Sequence, residues 1–577
     1  MGEIDVLKRA RVRPPRNATT RRMQLVVLIL GAAFVAALWS TGFTPWNVFG
    51  RLDAIGGLLD RLIPPSFVEL PRYLRAVGET LMMVLAGTSI ALVLAVPVAA
   101  LAARNITPGP VAYTIARFVI TLTRAVPSLV LALLFVRAIG VGPTAGVLAI
   151  GISSVGMIGK FFADRIEEID MGIVEASRAS GATRLQTFVA AVLPQIITNW
   201  ISLALYRFDI NLRNAVILGF VGAGGIGFEL QRVLGQLVYP RVLAIAIIIF
   251  VMILLIEQLS AMTRSAITGS QTLSRNNPFT WRAQLRAKRR LERATTVTER
   301  VSVQPLPATQ PAPNPGRKVR LGWAGGRWLR WALAGGAMVA VTFSFARLGL
   351  GPVEMAEAAA LIVPFVIDMF PPDFVTNFVR HLDLMLETVW MALAATVLGV
   401  VLALPIGILA AKNTSVHPAV ARASRILTVV VRGIPDLMLA ILLVVAVGLG
   451  PLAGVLALTF GAIGFTGKLI ADALEDTDLA GQTEAMDAVG ASWLQRTFTS
   501  TIPTALPAIV GMAFFTFDTY VRSATIMGVV GAGGIGIALD ASIRGRNLEQ
   551  TLALILMILA MVYLIERVSA WMRKQMI

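Results

Sequence analysis

The chain has 577 residues, of which 56% are hydrophobic and only 15% charged, and its mean hydropathy is +0.75. Soluble globular proteins carry about a quarter charged residues, so an ordinary water-soluble fold is excluded. The absence of Cys rules out disulfides, thiolate metal sites and thiol nucleophiles, and two distant His, His381 and His417, give no basis for a metal centre. The formal net charge of +18 is concentrated rather than spread.

In chain order, residues 1–22 form a basic N-terminus with Lys8, Arg9, Arg11, Arg13, Arg16, Arg21 and Arg22 against Glu3 and Asp5. Apolar runs follow near 23–43, 78–103, 113–138, 143–163, 193–219 and 240–262, then again near 328–346, 385–411, 422–447, 451–471, 503–529 and 549–571. Each is close to the about 20 residues that a helix needs to cross a bilayer, which predicts an all-α integral membrane protein with about twelve spans. A signal peptide is the rival reading of the first run, but its length and the lack of a small-residue cleavage site before Pro45-Trp46 favour a retained span. Between the sixth and seventh runs lies a basic, Pro-rich linker, residues 263–327. Within it, residues 281–293 suit a basic helix on anionic lipid, and residues 305–315 a polyproline-like spacer. Cytoplasmic loops retain Lys and Arg, and six spans return the chain to the side on which it began. N-terminus, linker and the Arg573-Lys574 tail are therefore expected in the cytoplasm. Topology and lipid headgroups explain the basic runs, so no nucleic-acid partner is expected.

The second half repeats the first at an offset of 308 that becomes 309. Glu79-Thr80 matches Glu387-Thr388, ARN at 103–105 matches AKN at 411–413, RAVPS at 124–128 matches RGIPD at 432–436, and VGAGGIG at 221–227 recurs unchanged at 530–536. With six spans per copy, both insert the same way up as a parallel pair, an arrangement able to enclose a pathway.

Each copy carries a polar loop after its fourth span. Glu175-Ala176, Gly181 and Leu193-Pro194 recur as Glu484-Ala485, Gly490 and Ile502-Pro503. This pattern resembles the cytoplasmic loop of permease subunits of binding-protein-dependent ABC importers. The resemblance implies a short coupling helix that docks in a groove of a separate ATPase, with Glu175, Ala176, Gly181, Glu484, Ala485 and Gly490 at the contact. Ser177 and Met486 depart from the motif's third position, where the family has Ala, and the larger Met486 makes the two docking sites unequal. Gly159-Lys160 and Gly467-Lys468 lack the remaining residues of a phosphate-binding loop, so ATP and Mg belong on the partner and no cofactor on this chain.

VGAGGIG satisfies a dinucleotide-binding pattern, but with no strand before it and no βαβ unit around it that reading fails. Gly222, Gly224, Gly225 and Gly227, with Gly531, Gly533, Gly534 and Gly536, instead suggest a helix interruption serving close packing or an extracellular gate. Inside the fifth span of each copy, Asp209 and Arg213, and Asp518 and Arg522, stand at i and i+4 on one helix face. Counting about 1.5 Å per residue from Pro194 sets Arg213 roughly 28 Å up, in the outer half of the bilayer. Charges in a membrane mark function or mutual neutralisation. Arg207, Asp209, Asn211, Arg213, Asp518, Tyr520 and Arg522 are thus candidate pathway residues, and Arg124 with Arg432 a second pair nearer the cytoplasm.

Together, RAVPS/RGIPD, GVGPTAGVLA (140–149), the coupling loops, YRFDINLRNA (206–215) and VGAGGIGFELQ (221–231) resemble the permease of phosphonate ABC importers across most of 64–262 and 371–574. The resemblance implies two tandem six-helix repeats of the type I importer permease class, 23–262 and 328–577, fused in one chain. It also implies two copies of an ATPase, an extracytoplasmic binding protein, and a plasma-membrane location. Importers of methionine or betaine share the coupling loop and Gly-rich segments, so the solute is the weaker inference. An ATP-independent secondary transporter is the alternative mechanism, though its expected unpaired midplane acids are missing, since Asp209 and Asp518 each have an Arg nearby.

Overall fold

The computed structural model describes residues 31–268, 326–476, 485–486 and 488–576. The basic N-terminus and nearly all of the linker, with the expectations placed on them, lie outside these residues. No strand occurs among the described residues. The first half contains α1 (Gly31–Ser40), α2 (Pro45–Phe49), α3 (Leu52–Leu62), α4 (Leu70–Ala102), α5 (Pro110–Ala125), α6 (Ser128–Ile139), α7 (Pro143–Glu167), α8 (Met171–Ala179), α9 (Arg184–Thr187), α10 (Leu193–Leu218), α11 (Gly225–Gly235) and α12 (Tyr239–Thr268). The second half contains α13 (Gly326–Arg347), α14 (Pro352–Ile367), α15 (Phe378–Ala410), α16 (Pro418–Gly433), α17 (Asp436–Val447), α18 (Pro451–Asp476), α19 (Trp493–Arg496), α20 (Ile502–Gly528), α21 (Ile535–Arg544) and α22 (Leu548–Met576).

Eight helices among the described residues are long and apolar enough to cross a membrane, and three bent pairs bring the number to as many as eleven. The expected third and ninth spans are not straight: α5 meets α6 at 84° and α16 meets α17 at 76°. The cause is local. A residue before Pro is pushed out of the α region, and Val126 and Ile434, ahead of Pro127 and Pro435, adopt ψ of 119° and 120°. The seventh span is likewise a bent pair, α13 with α14 at 60°.

Small residues set the closest packing. Gly87, Ala91, Ala95, Ala99 and Ala103 recur every fourth position, on one face of α4 and just past its end, and all are buried. The same ladder, Ala395, Gly399, Ala403, Gly407 and Ala411, belongs to α15. Lipid offers no hydrophobic drive between helices, so backbones that approach closely gain dispersion contacts instead. A Cβ on Gly87 would sit 2.9 Å from the Val147 carbonyl of α7, and one on Gly399 only 2.2 Å from the Ala462 Cβ of α18. Toward the C-terminal end of α7, Phe162 stacks on Trp200 with ring centroids 4.1 Å apart.

By packing, the chain divides into two compact units that cut across the sequence repeats. One contains residues 65–365, in which α13 packs on α4 and α12. The other contains 366–577 together with the segment before Pro65, where α3 packs on α17. The helices that open each repeat are therefore exchanged between units, a feature that a repeat boundary at 262 or 328 does not reveal.

Candidate functional site

The loop after α7 folds as a capped helix. Asp170 caps α8, its carboxylate accepting from the Gly172 N–H at 2.9 Å. Val174 is fully buried, whereas Glu175 and Ala176 are exposed. Gly181 closes the helix at φ +82°, with the Gly181 N–H donating to Arg178 O at 3.0 Å and the Ala182 N–H to Ser177 O at 3.4 Å. This is the glycine-terminated end that spares a Cβ from left-handed strain. Thr183 and Gln186 then form a reciprocal capping box that starts α9. The second copy repeats the exit: Gly490 has φ +74°, the Ala491 N–H donates to Met486 O, and Ser492 with Gln495 forms the box. Ala485 is exposed, while Glu484 lies outside the described residues. Leu193-Pro194 and Ile502-Pro503 each follow a single π-turn, Phe188–Val192 and Thr497–Thr501, in which the Leu193 N–H reaches Phe188 O and the Ile502 N–H reaches Thr497 O. The proline ring would clash with a carbonyl four residues back, and the wider turn relieves it. The helix from Arg184 consequently runs on through the span until the backbone breaks at Gly222.

A polar clamp holds the neighbouring rim. Glu167, at the end of α7, accepts from Arg117 of α5 at 2.9 Å and from the Arg104 N–H at 3.0 Å, and the Arg117 Nε donates to Ala102 O at 2.9 Å. Asn105 donates to Ile166 O. The copy has Glu475 with Arg425 and the Lys412 N–H, Arg425 to Ala410 O, and Asn413 to Leu474 O. These residues include the ARN and AKN segments, which were legible as repeats but not as partners of Glu167 and Glu475.

At the opposite end, the glycine segment is a tightly bonded turn between α10 and α11. Gly222, Gly224 and Gly225 have φ of +104°, +85° and +71°. The Gly225 N–H donates to a Glu79 carboxylate oxygen and the Ile226 N–H to Thr80 Oγ1, at 3.1 and 2.9 Å; Gly534 and Ile535 do the same with Glu387 and Thr388. Glu79 and Thr80 thus supply the acceptors that a helix N-terminus lacks. The Gly142 N–H bonds to Gly222 O and the Gly450 N–H to Gly531 O, both at 3.0 Å. A Cβ on Gly227 would lie 2.0 Å from Val216 O, and one on Gly536 2.1 Å from Thr525 O, which is the geometry of close packing. Nearby, Glu69 accepts from Arg232 at 2.6 Å and Arg241 at 2.8 Å. The Arg232 hydrogen bond holds its carboxyl below the usual range.

The intramembrane charges are arranged differently from the i, i+4 reading in the first half. Asp209 accepts from Ser260 at 2.6 Å and pairs with Arg264 at 3.3 Å, while Arg213 pairs with Glu257 at 3.1 Å. The reason is that α12 presents Glu257, Ser260 and Arg264 along the face packed on α10, so cross-helix partners replace the intrahelical one. In the second half Asp518 and Arg522 do pair within α20, at 2.8 Å, with Glu566 and Arg573 of α22 among the charges acting on Asp518. The first half thus forms two ion pairs and the second at least one, and Arg213 and Arg522 are not bare cations.

Arg207 is different. It is 8% exposed, its Nε donates to Ser154 Oγ at 3.1 Å and its Nη1 contacts Met157 Sδ at 2.9 Å. No carboxylate meets it among the described residues. Ser154 in turn donates to Asn211, whose amide donates to Thr88 at 3.0 Å. Thr88 and Ser154 lie near the middles of α4 and α7, so this turn of α10, and Arg213 just above it, stand at mid-bundle rather than toward the outer end. In the second half Ala462, Thr516 and Tyr520 take these places. Thr516 bonds to Thr466 at 3.1 Å, and the buried Tyr520 hydroxyl has no hydrogen bond among the described residues. Arg124 and Arg432 stand in the last turns of α5 and α16, at the two bends.

Two segments, 95–267 and 403–577, match the family described as the binding-protein-dependent transport system inner membrane component. The phosphate-import permease protein PhnE of Mycolicibacterium smegmatis is 39% identical over 545 residues, 94% of this chain and 93% of that protein. The phosphite transport system permease protein PtxC of Stutzerimonas stutzeri is 39% identical over 244 residues, 42% of this chain and 89% of its own length.

Proposed function

The chain belongs to the binding-protein-dependent transport system inner membrane component family, and on that footing we propose that it imports a phosphorus oxyanion, phosphate, phosphite or phosphonate, driven by a separate ATPase. It is a multi-pass membrane transport subunit made of two fused copies of the family's unit. The substrate class is supported by what its relatives carry and, within the molecule, by Arg207. A guanidinium in a membrane protein interior with only a hydroxyl and a thioether beside it is costly, and an oxyanion in transit would supply the charge it lacks. Arg213 and Arg522 do not do this, since each has a carboxylate partner.

In this reading two ATPase subunits, holding ATP and Mg, dock on α8 and on the loop around Ala485 and Gly490. An extracytoplasmic binding protein delivers the solute, and the termini face the cytoplasm. The exposed Glu175 and Ala176 support the docking face. The route for force is supported by continuity: from the Gly181 turn, the helix that starts at Arg184 carries Arg207 and Asn211 and ends at the break at Gly222. A displacement of α8 along that helix would strain the bonds of Arg207 and Asn211 to α7 and α4.

The test is uptake into proteoliposomes that hold this chain, its ATPase and its binding protein, with labelled phosphonate competed by phosphite, phosphate and methionine. ATP-dependent uptake, blocked by phosphorus oxyanions and at least tenfold slower in Arg207→Gln, is expected. Uptake without ATP would refute the mechanism, and competition by methionine would refute the solute class.

A further inference from the structure

We propose that Lys160 of α7 is a second cation on the anion's route, taking the phosphorus oxyanion over from Arg207 and passing it toward the C-terminal end of α7. The step rests on the reading of the cargo as an oxyanion and of Arg207 as its contact.

The pair Gly159-Lys160 recurs as Gly467-Lys468, and a phosphate-binding loop does not explain it. Its two residues lie on different faces of α7. A Cβ on Gly159 would lie 3.5 Å from Ile120 Cγ1 of α5, and one on Gly151 3.3 Å from Ile90 Cγ2 of α4. Phe162 stacks on Trp200 of α10, and all three positions are buried. Met157, Lys160 and Asp164 stand at i, i+3 and i+7, which places them on one helix face, and each is only half-buried. This is the open flank of α7, and Arg207 reaches it, its Nη1 lying 2.9 Å from Met157 Sδ. Residues at i and i+3 have Cβ atoms about 5–6 Å apart, and helix side chains lean toward the N-terminus. Lys160 therefore extends, from the next turn, toward the place where the guanidinium ends.

Lys160 makes no hydrogen bond or ion pair among the described residues. Asp164, its i+4 neighbour, lies 3.9 Å from Arg117 instead. Arg124, at the bend after α5, and Lys468 of the second copy each do have a partner. At about 1.5 Å per residue, Lys160 is roughly 10 Å inside the Glu167 end of α7, a helix long and apolar enough to cross the membrane. A cation at such a depth without an acid is costly unless it faces a wet route. Arg207 and Lys160, on neighbouring turns with no carboxylate between them, repel each other, and a passing anion relieves each in succession. The order also suits release. An ammonium is a compact point charge without the two-pronged geometry of a guanidinium, so it holds an oxyanion less firmly and lets it go.

The chain has no cysteine, so Lys160→Cys provides a single thiol whose charge can be set with methanethiosulfonate reagents. The purified full chain is labelled, reconstituted with its ATPase and binding protein, and assayed for initial uptake of labelled phosphate. Unlabelled Lys160→Cys, and Lys160→Met, should each import about tenfold slower than the unsubstituted chain, the size of one lost charge-assisted contact. The aminoethyl reagent, which adds a cation, should restore at least half of the rate, and the sulfonatoethyl reagent, which adds an anion, none of it. A packing role does not depend on the sign of the added charge. If neither water-borne reagent modifies the folded chain, read by mass, position 160 faces lipid or packed protein and the proposal is overturned. Uptake by Lys160→Cys or Lys160→Met within twofold of the unsubstituted chain, or equal rates after the two labels, would overturn it as well. Those outcomes leave phosphate uptake by the unsubstituted chain intact; its absence there would instead remove the oxyanion reading, and this step with it.

Discussion

Arg207→Met should raise stability while lowering transport, an opposition that a residue serving only the fold cannot produce. An Arg at the centre of a membrane helix costs about 2.5–3.5 kcal/mol on insertion scales. In this chain the cost is offset by a hydrogen bond to Ser154 and a contact with Met157, worth about 1.5–3 kcal/mol for a charged donor. Met fills similar volume, and Ser154 keeps its bond to Asn211, so no buried polar atom is stranded by the change. The balance runs from neutral to about 2 kcal/mol stabilising. In the transport cycle, the loss of one charge-assisted contact to an oxyanion, again about 1.5–3 kcal/mol, lowers uptake by about 10- to 100-fold. Thermal unfolding of the purified chain and initial uptake rates in proteoliposomes measure the two separately. A melting temperature that falls, with uptake falling only as the folded fraction does, would refute the reasoning and return Arg207 to a packing role.

Glu257→Gln should destabilise the chain by about 1–3 kcal/mol by leaving Arg213 without its acid partner, and Glu257→Gln with Arg213→Met should recover most of that; additive losses in the melting temperature would show that the pair is not coupled. Gly181→Ala has no neighbour within 4 Å to clash with, so its cost is the left-handed φ alone, about 1–2 kcal/mol; transport-coupled ATPase activity should fall while assembly holds, and full activity would deny that the turn is needed. Gly227→Ala and Gly536→Ala drive a Cβ to 2.0 and 2.1 Å from backbone oxygens, which exceeds the usual about 1–3 kcal/mol of overpacking, and recovery of either as folded protein would contradict the closeness of this turn. Glu69 titrates below its ordinary 4.5 because of Arg232, so its contribution is present above pH 4.5 and is lost as the pH falls through the depressed folded value. Arg232→Gln should flatten the melting temperature across that acid range, and an unchanged profile would remove the assignment.

Much of this was legible in the sequence because duplication doubles each weak signal. Glu, Ala, Gly and Pro at matched spacings marked the repeated loop after the fourth span, and its closing glycine does occupy the left-handed turn in each copy. What could not be read was pairing across helices. Asp209 and Arg213 satisfy a rule about one helix face, but a rule confined to one helix is silent about Glu257 and Arg264, which arrive from α12 some fifty residues later. Glu79-Thr80 stood out only as a repeated dipeptide, since nothing local links it to the Gly225 and Ile226 N–H groups 146 residues away. The bends after Arg124 and Arg432 were foreshadowed by Pro127 and Pro435, yet hydropathy averages over a window and ran each pair together as one span. The exchange of opening helices between units had no sequence signal at all, because a repeat states what is similar and not what it packs against.

Fusing two copies in one chain permits a division that identical copies could not make. The parts retained in both are structural: the Glu167 and Glu475 clamps, the Gly181 and Gly490 turns, the π-turns before proline, and the Glu79 and Glu387 caps on the glycine turns. In the proposed cycle both halves respond to the same stroke, so these cannot diverge without desynchronising them. The parts that differ include the polar residues around Arg207. Where the first copy has Ser154, Arg207 and Asn211, the second has Ala462, Thr516 and Tyr520 at the matching positions. A second buried Arg would repeat the desolvation cost of the first, while a small anion in transit needs few cations and must leave them again. One Arg207 in one copy is therefore the cheaper solution. The same logic predicts that introducing the missing cation with Thr516→Arg should destabilise the chain by about 3 kcal/mol without raising uptake, and a faster importer would show that the copies are limited by charge after all.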